Sequence, residues 1–302
     1  MDLSTLKLFV EVMRRHSFTE VAKTERMAPS SVSRAIASLE TELGSRLFHR
    51  STRKLEPTEA GLRYFERVAP LLEELTAAGE MVADCDEAPK GTLRVSAPTV
   101  FGQMFLVPVV EELHQHYPEL TIELLLNDAY VDLIGERIDV AIRLGTLRDS
   151  SYIARRVRKI RFYICASPAY LARYGTPATP QEIARHECLL FPRGEYNLNW
   201  LFRDATGNIE EVRIHGRCLI TNSEAIRQCT LSGMGLALLP DWLVDRDIEA
   251  GAMQTLFDNF EVTATDYDSA IWVLQPSRAY VPLKTKVFVQ HLLDRCSTSE
   301  SL

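Results

Sequence analysis

Ser17-Phe18-Thr19-Glu20-Val21-Ala22, a short polar break, then Ser30-Ser31-Val32-Ser33-Arg34-Ala35-Ile36-Ala37-Ser38-Leu39-Glu40: this stretch decides the reading of the N-terminal part of the chain. It closes on Gly44 and the basic run Arg46, His49, Arg50, Arg53 and Lys54. It reads as a winged helix-turn-helix. Ser17 and Glu20 have the S-x-x-E spacing of a capping box, which predicts a helix starting at Phe18. Small Ala22 lets another helix cross it closely. Ahead of it, Leu3, Leu6, Phe9, Val10 and Met13 recur at helical spacing as one apolar stripe. Behind it, Val32, Ile36, Leu39 and Leu43 are spaced four, three and four, so a third helix buries one face. Ser30, Ser31, Ser33, Arg34 and Ser38 fall on the other face. From Arg46 to Leu55 the pattern suits two short strands joined by a polar tip. Leu47, Phe48 and Leu55 are expected to face the core, and Arg50, Arg53 and Lys54 to sit on the wing.

The chain has 302 residues and a formal net charge of −7. Between Lys23 and Lys54 the balance reverses. Lys23, Arg26, Arg34, Arg46, Arg50, Arg53 and Lys54 stand against Glu25, Glu40 and Glu42, seven to three. A local basic surface on an acidic chain needs a local reason, and a phosphate backbone is the best candidate. Short hydroxyls at a helix start can approach base edges, and helix N-terminal amides attract phosphate. Arg34 can reach either a guanine edge or a phosphate. A plain three-helix bundle with a solvated basic hairpin is the alternative. Several contacts expected of a helix-turn-helix reader occur together here and weigh against it.

This length suffices for two or three domains. No apolar run approaches the roughly 20 residues needed to span a bilayer. Met1-Asp2-Leu3-Ser4 lacks the basic start and long apolar run of a signal peptide. The expected location is cytoplasmic, with no membrane partner. Cys85, Cys165, Cys188, Cys218, Cys229 and Cys296 are scattered, with no C-x-x-C pair and no metal-spaced histidines. No metal or cofactor is expected, and the thiols read as free and mostly buried. A redox pair of Cys218 and Cys229 is the alternative.

Thr58 is placed to cap a long helix running to about Asp84. Leu62, Phe65, Ala69 and Leu72 follow a three-four spacing, with Leu75 and Val82 on an apolar flank, which suits helix–helix pairing. Pro70 removes one backbone bond within it, so a kink or local irregularity is expected. Asp86 to Gly91 reads as a hinge. Beyond it, strands are expected at Thr92–Ser96, Thr121–Leu126, Asp139–Arg143, Arg161–Ala166, Leu236–Pro240 and Ala270–Leu274. Helices are expected after Ala97-Pro98-Thr99, at Val131–Ile134, after Ser167, over Ser223–Ser232 and over Leu283–Leu293. This alternation implies an α/β class with a largely parallel sheet.

The run S-V-S-R-A-I-A-S-L-E-T-E-L-G-S-R-L-F-H-R, followed by T-E-A-G, spans Ser31 to Gly61. It closely resembles the LysR-type transcriptional regulators. Further along, G-T-L-R-V-S-A-P, D-V-A-I-R-L-G, A-S-P-A-Y-L-A-R-Y-G-T-P and S-G-M-G-L-A-L-L-P-D-W-L-V extend the resemblance over nearly the whole chain. Ala28 and Pro29 depart from it, since many members carry Ser and Gln there. The resemblance implies a winged helix-turn-helix over 1–58, a dimerising linker helix over 59–86 and a hinge over 87–91. A two-lobed effector domain, like a periplasmic binding protein, follows over 92–302. Its first lobe takes about 92–163 plus 267–302 and its second about 164–266. Implied partners are double-stranded promoter or operator DNA, a small-molecule effector, other copies of the chain as a homodimer or homotetramer, and RNA polymerase.

In such sheets ligands bind at the carboxyl ends of strands, where connections diverge. That selects Ser96, Thr99, Val100, Asn127, Arg143, Ser167, Asn222 and Ser223, with Phe191 near the cleft edge. Ser96 and Thr99 at a strand-to-helix junction suit a small anion or carboxylate, and Arg143 could clamp it. Arg143 is equally open to a structural ion pair with Asp128 or Asp139, Asn222-Ser223 to simple helix capping, and Phe191 to core packing. Gly233-Met234-Gly235 lacks the third glycine of a dinucleotide fingerprint, and there is no G-x-S-x-G elbow or Walker loop. An enzyme in the cleft would need a nucleophile, base or metal set that does not converge. A scavenger that binds small molecules without DNA would leave the basic N-terminal module unexplained.

Overall fold

The computed structural model describes residues 2–50, 55–83, 88–128, 133, 136–147, 152–192, 198–276 and 280–298. Three helices open the chain: α1 (Leu3–Arg15), α2 (Phe18–Thr24) and α3 (Pro29–Leu43). The Ser17 side chain accepts the Glu20 amide at 3.2 Å, so α2 starts at Phe18 as its sequence predicts. Phe9, Val12, Val21, Val32 and Ile36 are wholly buried between the three helices. Each such side chain stabilises the module by roughly 1.5–3 kcal/mol through apolar burial.

The stripe of α3 ends one turn earlier than expected. Leu39 is buried but Leu43 is exposed, because Gly44 adopts a left-handed conformation (φ 63°) and turns the chain away. The buried Glu40 carboxylate accepts the amides of Leu47 at 2.9 Å and Phe48 at 3.2 Å and so fastens the start of the wing. The wing pairs β1 (Phe48–Arg50) with β2 (Leu55–Pro57) in antiparallel register, Arg50 opposite Leu55. Leu47 and Phe48 are buried and Leu55 packs against the same core. Arg53 and Lys54 at the tip lie outside the described residues.

Thr58 ties the wing to the long helix α4 (Glu59–Ala83). Its hydroxyl accepts the Gly61 amide at 3.0 Å and donates to the Arg46 carbonyl at 2.7 Å. A Cβ on Gly61 would lie 2.2 Å from the Leu47 carbonyl oxygen, so only glycine allows this close approach. The helix is continuous through Pro70. Val68, Ala69 and Leu72 pack on the module core, while Leu62, Leu71, Leu75 and Val82 are exposed. Residues 84–87, the expected end of this helix and start of the hinge, lie outside the described residues.

Two sheets follow. The first orders its strands Leu120–Leu126, Gly91–Ala97, Val140–Gly145, Ala270–Gln275, Ile153–Lys159. The first three are parallel, and Ala270–Gln275 is antiparallel to both its neighbours. The second sheet has eight strands around Phe162–Ala166, which runs antiparallel to Leu236–Pro240, Gln254–Leu256 and Glu261–Thr263. The sheets are therefore mixed rather than largely parallel. The physical reason is that the chain returns between lobes along Ala270–Gln275, a strand and not a crossover helix. The crossings fall between Lys159 and Phe162 and between Thr263 and Ala270. The helix expected at Val131–Ile134 lies almost wholly outside the described residues. Helices at Ser223–Leu231 and Leu283–Thr298 stand where the pattern places them.

Candidate nucleic-acid interface and effector cleft

On α3, Ser30 and Arg34 are exposed and Ser31 and Ser33 half-buried, all on the face away from the core. Ala28 precedes the helix without a side-chain cap and Pro29 takes its first position. Proline has no amide hydrogen to lose there. Arg34 lies back along its own helix, donating to the Ser30 carbonyl at 3.2 Å and lying 3.5 Å from the Ser31 hydroxyl. The module thus keeps hydroxyls and a guanidinium on one helix start, and β1 with Arg50 follows the far end of that helix.

The effector-side residues divide into three groups. Val100, Ser223 and Phe191 line a cavity of about 330 Å³ between the two lobes. Asn127 and Arg143 line a smaller neighbouring chamber of about 160 Å³, together with Trp272. Ser96, Ser167 and Asn222 are engaged in structural bonds. Ser96 is fully buried, its hydroxyl 3.4 Å from Arg143 Nη1, and that nitrogen also donates to the Ile142 carbonyl at 2.9 Å. Ser167 caps the helix Pro168–Tyr174 by accepting the Tyr170 amide at 3.3 Å. Asn222 caps Ser223–Leu231 by accepting the Ala225 amide at 3.0 Å. The amide of Thr99, chosen as a carboxylate receiver, already donates to Asp128 Oδ1 at 2.9 Å.

Sequence reasoning missed most of the main cavity's wall. Phe101, Phe162 and Trp242 line it, and Trp242 meets Phe101 edge-on at 5.6 Å across the lobes. Arg158 and Asp241 add an ion pair between the lobes at 2.9 Å. A-L-L-P-D-W was quoted for its family likeness, but nothing local says that its tryptophan faces another lobe.

Module and effector domain also touch. Arg137 Nη2 donates to Glu25 at 2.7 Å and Arg137 Nε lies 3.3 Å from Glu11. Glu11 is buried on α1 between Arg14 and Arg15 as well. A chamber of about 370 Å³ lies along this contact, between α1, α4 and the first lobe.

Burial pushes the Cys165 and Cys188 thiols up to about 12. Those two and Cys296 are buried, Cys218 and Cys229 are partly exposed, and all five are free. Cys85 lies outside the described residues. Among the described residues no group of three or more His, Cys, Asp or Glu could hold a metal ion. No helix among them is long and apolar enough to cross a membrane.

A winged helix-turn-helix joined by a long helix to a two-lobed cleft defines a DNA-binding protein of the ligand-sensing kind. Residues 3–62 match the bacterial regulatory helix-turn-helix protein, lysR family, and residues 86–297 match the LysR substrate binding domain. The chain belongs to the LysR family of transcriptional regulators. The HTH-type transcriptional regulator CrgA of Neisseria meningitidis is 35% identical over 289 residues, covering 96% of this chain and 95% of that one. The solved structure of CrgA matches with a TM-score of 0.62 at 33% identity, over 98% of this chain and 99% of that one. The full-length structure of the Vibrio cholerae virulence activator AphB matches with a TM-score of 0.61 at 28% identity, over 97% and 99%. These relatives are regulators, and the chain is not read as an enzyme.

Proposed function

We propose that the chain binds promoter or operator DNA as a homo-oligomer and that a small molecule held between its lobes sets the placement of its DNA-binding modules. Ser30, Ser31, Ser33 and Arg34 would supply contacts from α3, and Arg50, Arg53 and Lys54 from the wing. The observation that carries this reading is the exposed polar face of α3 on a module whose other face is closed by core. The unit 1–58 would read DNA, 59–86 would dimerise, 87–91 would act as the hinge, and 92–302 would sense.

Leu71, Leu75 and Val82 support dimerisation through α4. They follow a four-then-seven spacing, and Val82 is 74% exposed in the single chain. Two such dimers would make the tetramer that the family likeness implies. RNA polymerase is the partner such a regulator meets at a promoter. Arg137 is the route by which lobe movement would reach the module, because it joins the first lobe to both α1 and the end of α2. A ligand shifts this equilibrium only by binding one arrangement better than the other.

For the effector, the finer expectation of a small anion or carboxylate draws its support from Arg143, which lines the smaller chamber. The main cavity offers an anion no comparable group among its described walls.

The test is binding of the full chain to DNA upstream of its own gene across a salt series. Neutralising several phosphates makes log affinity fall linearly with log salt, with a slope of about −0.9 per phosphate. Affinity that ignores salt would overturn the DNA reading.

A further inference from the structure

We propose that the main cavity takes an uncharged, ring-bearing molecule and that it excludes carboxylates. This rests on the reading of that cavity as the effector site. Three observations converge on it. The wall carries four aromatic rings, Phe101, Phe162, Phe191 and Trp242, drawn from both lobes. Among the described residues lining it, Asp128 is the one charged group, and it is an acid. Its carboxylate accepts the Thr99 amide at 2.9 Å, the position a ligand's own carboxylate would take. An anion entering there must displace Asp128 or sit beside it, and like charges brought together at a binding surface repel.

A neutral ring brings no charge past Asp128. Rings of one or two cycles fit a cavity of about 330 Å³.

Acetophenone and benzoate differ in little but charge, so they make a matched pair. Each is titrated calorimetrically into the full-length protein, its D128N and W242F variants, and T221W, which fills the cavity from an exposed position on its lip. Acetophenone is expected to bind at least tenfold tighter than benzoate. D128N keeps an acceptor for the Thr99 amide but removes the charge, and should raise benzoate affinity about tenfold while leaving acetophenone within twofold. W242F keeps a ring on the wall and should leave acetophenone within about threefold. Benzoate binding as tightly as acetophenone, with both blocked by T221W, overturns the ligand class and leaves the cleft reading standing. Binding of either probe untouched by T221W overturns the cleft reading. Binding of neither probe overturns the proposal.

Discussion

The start of α3 and the helix starts around the cleft are finished in opposite ways. α3 begins behind Ala28, whose methyl group offers no cap, and Pro29 brings no amide hydrogen. Around the cleft, Asp128 caps the helix beginning at Thr99, Ser167 caps Pro168–Tyr174 and Asn222 caps Ser223–Leu231. A helix N-terminus attracts anions through its free amides and the positive end of its dipole. The module leaves that end open, at the place where a phosphate would arrive. The effector domain closes each of these three ends with its own side chains. An open helix end suits a polyanion, while the cleft side turns its polar groups inward and presents rings.

The two regions should also differ in how many copies they need, and this carries the largest expected effect. Changing Leu71 and Leu75 together to glutamate puts charge into the exposed stripe of α4. The chain should sediment as a monomer, and operator affinity should fall by about 100-fold or more through lost avidity. The cavity lies within one chain, so small-molecule binding should stay within twofold. Equal loss on both sides would break the separation. Next is the wing. Arg50→Ala with Arg53→Ala should weaken DNA binding by about 1–3 kcal/mol and reduce the salt slope by about 2. Gel shifts across a salt series measure both, and an unchanged slope removes the wing from the interface.

Closing the open helix start is a smaller and sharper change. Ala28→Asp adds a side-chain acceptor at the cap of α3, which should raise module stability by about 1 kcal/mol. The same carboxylate occupies the phosphate position, so DNA affinity should drop about fivefold. Stability and binding moving in opposite directions is the signature. If both rise, α3 does not meet phosphate at its start.

These contrasts also explain what the sequence made legible. The groups proposed to contact DNA fall within residues 30–54, and helical periodicity assigns the faces of α3: Val32, Ile36 and Leu39 inward, Ser30 and Arg34 outward. Where that reading slipped, at Leu43, a single left-handed glycine had ended the helix, and Glu40 had become a buried acceptor that no periodicity marks. The cleft is different. Its wall draws on the segments around 98–101, 128, 144–145, 160–162, 191, 221–226 and 238–242. Polar residues at strand ends looked like ligand contacts, yet Ser167 and Asn222 were the caps their own helices required. Sequence gives a serine or asparagine at a helix start two roles, and only the packed lobes decide between them. The strand Ile153–Lys159 is likewise unmarked in the sequence. Its Arg155, Arg156, Arg158 and Lys159 break any apolar alternation, as suits an edge strand that must resist further pairing.

Acid offers the smallest and most local probe of the effector side. His186 is buried in the second lobe, with Nδ1 3.3 Å from the Tyr170 hydroxyl. That hydroxyl accepts the Glu187 amide at 3.1 Å, which leaves its own hydrogen to donate to the ring. A neutral imidazole with Nδ1 as acceptor fits this pairing. Burial holds its pKa below the ordinary 6.5, against the pull of Glu182. The unfolded chain therefore takes up this proton at a higher pH than the folded one. The stabilisation is complete above about pH 6.5 and is lost as pH falls through the lower folded value. The slope cannot exceed about 1.4 kcal/mol per pH unit for one such group. His186→Gln should flatten this part of the pH dependence of unfolding, measured on the full chain by denaturant titration between about pH 5 and pH 8. DNA binding at neutral pH should stay within twofold, because the residue belongs to the lobe and not to the module. An unchanged pH dependence would show that the proton which destabilises this lobe binds elsewhere.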